Sequence, residues 1–245
     1  SQIAKDFCYQ GAEVIAIDLD EKAAKETASK CGKNAIGIGC DITKKVELDN
    51  CFKKIIKIFG GLDILICNAG AAWEGSISDI DESTFRKSME LNFFAHLNSC
   101  QNSLGIFHAQ DFKESEQSNL VGGQILFNIS KQAINPGPNF GAYGITKAAL
   151  TSLMRQISLE EGKNKIRSNG INADRIKSGL LNSEMIKNRS KARGISEDDY
   201  MSGNLLKSEV YAEDVSKAFL SLVFMEKTTG ALVSVDGGNV AAMVR

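Results

Sequence analysis

Six short apolar runs alternate along the chain with longer segments of mixed polarity. Apolar runs of roughly four to eight residues, bounded by polar or turn residues, are typical of strands buried on both faces. The predicted strands cover residues 13–18, 35–40, 62–68, 123–130, 166–173 and 231–236. Alternation of such strands with helices predicts an α/β fold, with a parallel sheet and helices on both of its faces.

The segments between the strands carry apolar residues three and four positions apart, the pattern of helices with one buried face. The predicted helices cover residues 1–10, 20–31, 45–59, 81–107, 142–162 and 212–225. A chain of 245 residues is of the size that forms one α/β domain, so we expect 1–245 to be a single domain. The charged stretch 111–119 has few apolar residues, and we interpret it as an exposed connection.

Composition and charge disfavour several classes of protein. A net charge of −1 and a pI of about 6.2 provide no basic field for nucleic acid or an anionic membrane. No apolar segment approaches the roughly 20 residues of a membrane span, and no signal-peptide pattern opens the chain, so we expect a cytoplasmic protein. The 6 cysteines form no Cys-x-x-Cys pair and do not cluster with the 2 histidines, which favours buried reduced thiols over metal sites or disulfides.

Tyr143 and Lys147 are the strongest candidates for chemistry. They stand four residues apart in an alanine-rich helical segment, where such side chains share a face, and Ser130 precedes Tyr143 by thirteen residues. A lysine ammonium beside a phenol stabilises the phenolate and lowers the tyrosine pKa from about 10, so that tyrosine can act as acid or base. Taken alone, the spacing is equally typical of a solvated helix face.

Three further motifs accompany this pair. Asn68-Ala69-Gly70 ends a predicted strand, Asn92 lies in a helical segment, and Val235-Asp236-Gly237-Gly238 lies near the C-terminus. In this order and at these spacings, the motifs resemble the short-chain dehydrogenase/reductase family over essentially the whole chain. The resemblance implies a Rossmann-type doubly wound parallel sheet that binds a nicotinamide dinucleotide. Taken singly, Asn68 can also cap a turn and Asn92 can also bond to backbone.

The resemblance assigns catalytic roles to four residues. Tyr143 would exchange a proton with the substrate oxygen while a hydride moves to or from the cofactor, and Ser130 would orient that oxygen. Lys147 would lower the pKa of Tyr143 and bond to the nicotinamide ribose. Asn92 would hold a water molecule that connects Lys147 to solvent.

For the cofactor, the resemblance places an acidic residue at the end of the first predicted strand. Asp18 would accept hydrogen bonds from the adenosine ribose and repel a 2′-phosphate, which favours NAD over NADP. Asp41 and Ile42 would bind the adenine ring, although helix capping by Asp18, Asp20 or Asp41 explains the same residues. Gly70 would approach the ribose so closely that a large side chain would clash. The implied cofactor contacts are Asp18, Asp41, Ile42, Asn68, Ala69, Gly70, Tyr143, Lys147, Ile176 and Ser178.

After strand 166–173 the chain departs from the family pattern, with Ala173-Asp174 where the family has Pro-Gly. Ile176 would still bind the carboxamide, and Ser178 would replace the usual threonine near the phosphates. The run 172–181 and the closing Asp236-Gly237-Gly238-Asn239 resemble the dehydrogenase half of bifunctional rhamnulose-phosphate aldolase/alcohol dehydrogenase proteins, whose aldolase domain is N-terminal. This resemblance implies a small hydroxylated substrate such as lactaldehyde or a sugar.

The beginning of the chain also differs from the family. There, a strand and a glycine-rich turn precede the helix that occupies residues 1–10 here, and the turn presents backbone N–H groups to the cofactor pyrophosphate. We therefore expect the sequence to be an N-terminally incomplete part of a longer chain. We also expect two strands to lack a neighbour in the centre of the sheet.

Residues 178–208 correspond to the variable substrate lobe of the family. Basic side chains near the pocket could bind a phosphate or carboxylate, and a solvated helix face explains them more simply. The basic residues of this lobe that we consider are Lys187, Arg189, Lys191 and Arg193.

Assembly and alternative functions complete the predictions. Segments 81–107 and 142–162 carry apolar residues beyond one buried face, and the family pairs these helices across two-fold axes, which predicts a homotetramer. The apolar residues that suggest the tetramer are Phe93, Phe94, Leu150, Leu153 and Met154.

The alternatives for function are a single-domain ketoreductase or sugar dehydrogenase, and a catalytically silent nucleotide-binding protein of the same fold.

Overall fold

A computed structural model describes residues 1–110, 122–178 and 181–239. The strands within these ranges are β1 (Val14–Asp18), β2 (Ala35–Gly39), β3 (Ile64–Cys67), β4 (Gln124–Asn128), β5 (Arg167–Ala173) and β6 (Leu232–Val235). The helices are α1 (Gln2–Tyr9), α2 (Glu21–Lys30), α3 (Lys45–Phe59), α4 (Glu82–Met89), α5 (Ala95–Ala109), α6 (Gly141–Glu161), α7 (Ser183–Arg193), α8 (Glu197–Met201) and α9 (Ala212–Phe224). The predicted α/β class is confirmed, and the stretch 111–119 lies outside the described residues.

The predicted helix 81–107 is divided into three segments. Asp81 begins α4, where its carboxylate accepts a hydrogen bond from the Thr84 amide at 2.8 Å. A π-helical turn, Glu90–Phe94, then joins α4 to α5. The extra residue of such a turn changes the direction of the side chains that it carries, and π turns are frequent at functional sites.

All strands are parallel, but they form two sheets instead of one. One sheet pairs β1 with β2, and the other has the order β3-β4-β5-β6. Among the described residues, β1 and β3 each have a strand on one side only, and every residue of both strands lines the same large cavity. Two strands therefore lack a neighbour, as the sequence suggested.

Side chains of the four-stranded sheet point alternately to two apolar cores. In β4, Ile125 and Phe127 pack with Leu150 and Met154 of α6, whereas Leu126 packs on the other face. The second core includes Phe7, Ile171, Val215, Phe219, Leu222 and Val223. The sheet is therefore covered on both faces by helices, as in a doubly wound fold.

The buried positions correct one premise of the tetramer prediction. Leu150 and Met154 have no exposed surface, because they belong to the core beneath α6. Leu153 is partly buried against the same core. Of the exposed apolar residues in this region, Phe94 retains 43% of its surface.

Two helices that the apolar pattern did not predict, α7 and α8, form the lobe after β5. Asn182 caps α7 by accepting a hydrogen bond from the Met185 amide at 2.9 Å, and Gly194 ends it with φ of 66°. The lobe has a small apolar core of its own, made of Leu181, Ile186, Tyr200 and Met201. No helix in the described part of the chain is long and apolar enough to cross a bilayer.

Candidate active site

A cavity of about 2700 Å³ opens at the carboxyl ends of the strands and extends between β1 and β3. Because parallel strands end at the same edge of a sheet, the loops after β1 to β5 meet there. The predicted site residues that line the cavity are Asp18, Asp41, Ile42, Asn68, Ala69, Gly70, Ser130, Tyr143, Lys147, Ile176 and Ser178. Asn92 is fully buried and bonds to the loop that follows Gly70.

Ser130 and Tyr143 come together at the end of β4 and the start of α6. Ser130 begins a short 3-10 turn, where its hydroxyl accepts a hydrogen bond from the Gln132 amide at 3.3 Å. Tyr143 is 6% exposed, and its hydroxyl and the Ser130 hydroxyl belong to residues that line the same cavity. Burial raises the pKa of Tyr143 to about 12, and the Ser130 side chain acts in the opposite direction.

Lys147 lies one helical turn after Tyr143 and is 3% exposed. Its Nζ donates a hydrogen bond to the Asn128 carbonyl at 2.7 Å and lies 5.7 Å from the centre of the Tyr143 ring. Burial lowers the pKa of Lys147 to about 8. The net direction of the Tyr143 pKa is therefore upward and not downward as expected, because the phenol is buried, and stabilisation of the tyrosinate by Lys147 stays a prediction.

The loop after β3 is fixed by hydrogen bonds from two neighbouring elements. The Asn68 Oδ1 accepts a hydrogen bond from the Asn128 Nδ2 at 2.9 Å. The Ala69 carbonyl lies 2.8 Å from the His96 Nε2, which must be the donor because a carbonyl only accepts. Asn128 thus contacts both Asn68 and Lys147. Sequence reasoning missed Asn128, although its position two residues before Ser130 could have identified it. It also missed His96, in α5, which stands four residues after Asn92.

Asn92 holds the continuation of this loop. Its Oδ1 accepts a hydrogen bond from the Ala71 amide at 3.1 Å, and its Nδ2 donates to the Ala71 carbonyl at 2.9 Å and the Ser88 hydroxyl at 3.0 Å. A Cβ at Gly70 would lie 2.8 Å from the Asn92 Oδ1 and 3.9 Å from the Lys147 Nζ. The close approach of Asn92 is thus a second reason for glycine at position 70, besides the expected approach of the cofactor ribose. The role of Asn92 in holding a water stays a prediction.

The carboxylates expected near the adenosine are arranged differently from each other. Asp20, and not Asp18, caps α2, since its Oδ1 accepts hydrogen bonds from the Lys22 amide at 2.9 Å and the Ala23 amide at 3.4 Å. Asp18 accepts one hydrogen bond, from the Asp20 amide at 3.0 Å, and remains exposed at the cavity wall. The capping alternative for Asp18 is therefore wrong.

Asp41 forms a local turn instead of a helix cap. Its Oδ1 accepts hydrogen bonds from the Thr43 hydroxyl at 2.6 Å and the Thr43 amide at 3.0 Å, which lower the pKa of Asp41. Lys44 precedes α3, and no side chain caps that helix. The turn holds Asp41 and Ile42 at the cavity wall.

The segment after β5 is held by polar contacts of Asp174. Asp174 accepts a hydrogen bond from the Asn239 Nδ2 at 2.5 Å and lies 3.5 Å from the Arg175 Nε. Arg175 has φ of 54°, in the left-handed region. Ile176 and Ser178 follow along the cavity, and Gly179 and Leu180 lie outside the described residues.

Only part of the basic run in the lobe faces the cavity. Arg189 and Arg193 line it, whereas Lys187 and Lys191 are exposed and lie outside its wall. The Arg189 Nη2 donates a hydrogen bond to the Glu74 Oε1 at 2.8 Å. Sequence reasoning missed Glu74, because nothing local connects it to a residue 115 positions later.

The residues around the cavity fit a nicotinamide dinucleotide. Carboxylates at the β1 and β2 ends provide acceptors for a ribose and an adenine amine, and a buried lysine with fixed asparagines lies at the β3 and β4 ends. Gly70 has no side chain that would press on Asn92 or approach Lys147 at this point of the wall. The residues that would hold the adenosine are Asp18, Asp41 and Ile42, and those that would hold the nicotinamide ribose are Asn68, Ala69, Gly70, Tyr143 and Lys147.

Proteins of similar sequence and structure include oxidoreductases. A family model described as enoyl-(acyl carrier protein) reductase matches residues 1–239. The uncharacterised oxidoreductase YuxG of Bacillus subtilis (strain 168) is 31% identical over 258 residues, which cover 100% of this chain and 36% of YuxG. The chain thus spans little more than a third of that relative.

Two solved structures have closely similar folds. The 3-ketoacyl-(acyl-carrier-protein) reductase of Brucella melitensis complexed with NADH has a TM-score of 0.82 and 22% identity, covering 97% of this chain and 91% of the other. ElxO with NADP bound has a TM-score of 0.82 and 22% identity, covering 98% and 93%. These likenesses confirm the Rossmann-type fold.

Proposed function

The chain belongs to the short-chain dehydrogenase/reductase family, and from this premise we propose that it is a nicotinamide-dependent oxidoreductase that interconverts a hydroxyl and a carbonyl on a small hydroxylated substrate. The observation that supports the proposal is the convergence of Ser130, Tyr143 and Lys147 on the wall of one cavity. Both hydroxyl-bearing residues line this cavity, where one substrate oxygen can contact both hydroxyls.

The catalytic side chains divide the chemistry between them. A bound nicotinamide cofactor supplies or accepts the hydride. Tyr143, with a pKa raised to about 12, keeps its proton at neutral pH and donates it from Oη to the carbonyl oxygen during reduction. Ser130 holds that oxygen in position, and the positive charge of Lys147 stabilises the tyrosinate that is left behind.

NAD is the cofactor that we favour over NADP. Asp18 is exposed at the wall of the cavity and does not cap a helix, so its charge is free to meet a ribose 2′ position. A 2′-phosphate there would be repelled. The test is kcat/KM with each cofactor for the wild type and for Asp18→Ser. A preference for NAD that narrows in the variant supports this choice, and equal values in the wild type contradict it.

For the substrate, the resemblance to aldolase/dehydrogenase proteins suggests lactaldehyde, with the chain acting as the dehydrogenase unit beside an aldolase. Turnover of NADH with lactaldehyde is compared with turnover on sugars and simple ketones. Preference for lactaldehyde supports this substrate, and preference for a simple ketone supports the ketoreductase alternative. Cofactor binding without turnover on any compound would show that the protein is catalytically silent.

A further inference from the structure

We propose that Glu74 and Arg189 determine substrate specificity by binding two neighbouring hydroxyl groups of a polyhydroxylated substrate. The inference rests on the proposed function and adds the feature of the substrate that the site selects. It also assigns a role to two residues of the cavity lining that are not among the predicted catalytic residues.

The Arg189 side chain is held in one orientation by two contacts. Its Nη2 donates to the Glu74 Oε1 at 2.8 Å, and its guanidinium carbon lies 4.4 Å from the centre of the Phe140 ring. The side chain is 21% exposed, and its backbone carbonyl accepts a hydrogen bond from the Arg193 Nη1 at 3.2 Å. A planar guanidinium stacked on an aromatic ring loses little further freedom when it binds a ligand.

Glu74 is tied to the segment that leads into the catalytic helix. The Gly75 amide donates to the Asn139 carbonyl at 3.0 Å, and Gly75 forms an isolated parallel bridge with Phe140. The loop that carries Glu74 therefore moves with the start of α6. The ion pair joins this loop to α7, on the other side of the pocket.

The pair lines the same cavity as Tyr143 and its neighbour Phe140. Phe140, on which Arg189 stacks, precedes Tyr143 by three residues, which is close to one helical turn. Phe140 is the N-cap of α6, and its carbonyl accepts a hydrogen bond from the Gly144 amide at 2.7 Å, so its backbone lies about one turn, on the order of 5 Å, from that of Tyr143. A chain of about three to six carbons spans that distance, so a hydroxyl near one end can reach the pair while the carbonyl meets Tyr143.

The chemistry of the pair fits a diol better than an anion. Guanidinium offers five N–H donors and carboxylate offers several acceptor positions, and the hydrogen bond between them uses one of each. Neighbouring hydroxyls can donate to the carboxylate and accept from the guanidinium at the same time. Because the two charges cancel, the pair does not attract a phosphate as an uncompensated arginine would. Trp73, the only tryptophan of the chain, lines the cavity beside Glu74 and offers an apolar face to the substrate carbons.

The test compares glyceraldehyde, which has two hydroxyls, with propanal, which has none. We expect Arg189→Gln and Glu74→Gln to lower kcat/KM for glyceraldehyde by about 10- to 100-fold, mainly through KM, with less than about threefold change for propanal. Lys191→Gln is the matched control, because it removes one charge from the same helix outside the cavity. Equal losses on both aldehydes, or no loss, would overturn the proposal.

Two further measurements separate the possible failures. Saturation-transfer NMR with xylitol measures polyol binding without turnover, and we expect Arg189→Gln, but not Lys191→Gln, to abolish the signal. An unchanged signal overturns the role of the pair.

Turnover of propanal and glyceraldehyde with equal efficiency by the wild type also overturns the role of the pair, while the proposed oxidoreductase activity stands. Binding of xylitol that depends on Arg189, without any turnover, overturns the oxidoreductase and supports the pair. Preference for glyceraldehyde 3-phosphate that is lost in Arg193→Gln would show anion recognition instead.

Discussion

At the scale of the residue, the Tyr143 hydroxyl is the group on which the proposed chemistry depends. Tyr143→Phe removes this proton donor and leaves the ring, the Lys147 position and the distant adenosine contacts in place. We expect kcat to fall by about two to four orders of magnitude, with the NADH dissociation constant within about threefold of the wild type. Steady-state turnover and a fluorescence titration with NADH measure the two quantities. Activity within tenfold of the wild type would show that another group donates the proton.

Lys147 makes the activity sensitive to pH. Its pKa is lowered from 10.5 to about 8 by burial, so the ammonium charge is lost in the folded protein as the pH rises through about 8. We expect kcat/KM for carbonyl reduction to fall about tenfold per pH unit above that value, because the tyrosinate then lacks its stabilising charge. Lys147→Arg, which keeps its charge, should lose this decline. A profile that is flat from pH 7 to 10 in the wild type contradicts the assignment.

The lowered pKa of Lys147 also makes the free energy of unfolding depend on pH. Between about pH 8 and 10.5 the unfolded chain binds a proton at Lys147 that the folded chain has released. The contribution of this residue to the free energy of unfolding therefore rises with pH across that window and is constant below it.

At the scale of the element, the π-helical turn directs Asn92 at the loop after β3. Asn92→Ala leaves the Ala71 amide, the Ala71 carbonyl and the Ser88 hydroxyl without this partner. We expect the free energy of unfolding to fall by about 2–4 kcal/mol and the KM for the cofactor to rise, since buried unpaired groups are costly and the loop loses its anchor.

Urea denaturation and cofactor kinetics provide these values for Asn92→Ala. The matched control is Asn98→Ala in α5, whose side chain makes no hydrogen bond in the part of the chain that the structure describes. That change should stay within about 0.5 kcal/mol of the wild type. If both variants lose the same stability, the turn has no special role in holding the loop.

The strands and most helices could be predicted because their apolar periodicity reports burial directly. The candidate catalytic residues Ser130, Tyr143 and Lys147 were predicted from sequence motifs, and the structure places all three on one cavity wall, while their catalytic roles stay predictions. The π turn was missed because one extra residue barely changes a helical pattern. Glu74 was missed because its partner, Arg189, belongs to a lobe whose helices have no strong apolar stripe. The pKa of Tyr143 was misjudged because the degree of burial is a property of the folded chain.

At the scale of the whole molecule, we still predict a homotetramer. The prediction now rests on exposed apolar residues, because Leu150 and Met154 are buried in the core. Phe94, in the π-helical turn, and Ile145, in α6, keep 43% and 49% of their surface exposed. Combining Phe94→Asp with Ile145→Asp should reduce the mass of the particle, because a charge on a self-complementary patch faces its own copy. Light scattering at micromolar concentration measures this mass. A monomeric wild type would contradict the prediction.

Two sheets without a shared ladder of backbone hydrogen bonds can open separately. In the described part of the chain, the amides of β1 and β2 bond only within their own pair, whereas β4 and β5 have strands on both sides. Amide hydrogens of β1 and β2 should therefore exchange through local opening, and those of β4 and β5 only through global unfolding. Asp18 is the last residue of β1 and Asp41 follows β2, whereas Asn68 and Ser130 follow strands of the second sheet. A ligand that contacts residues of both sheets stabilises the two sheets together. We therefore expect its binding to slow the exchange of the amide hydrogens in β1 and β2, by an amount that increases with its affinity.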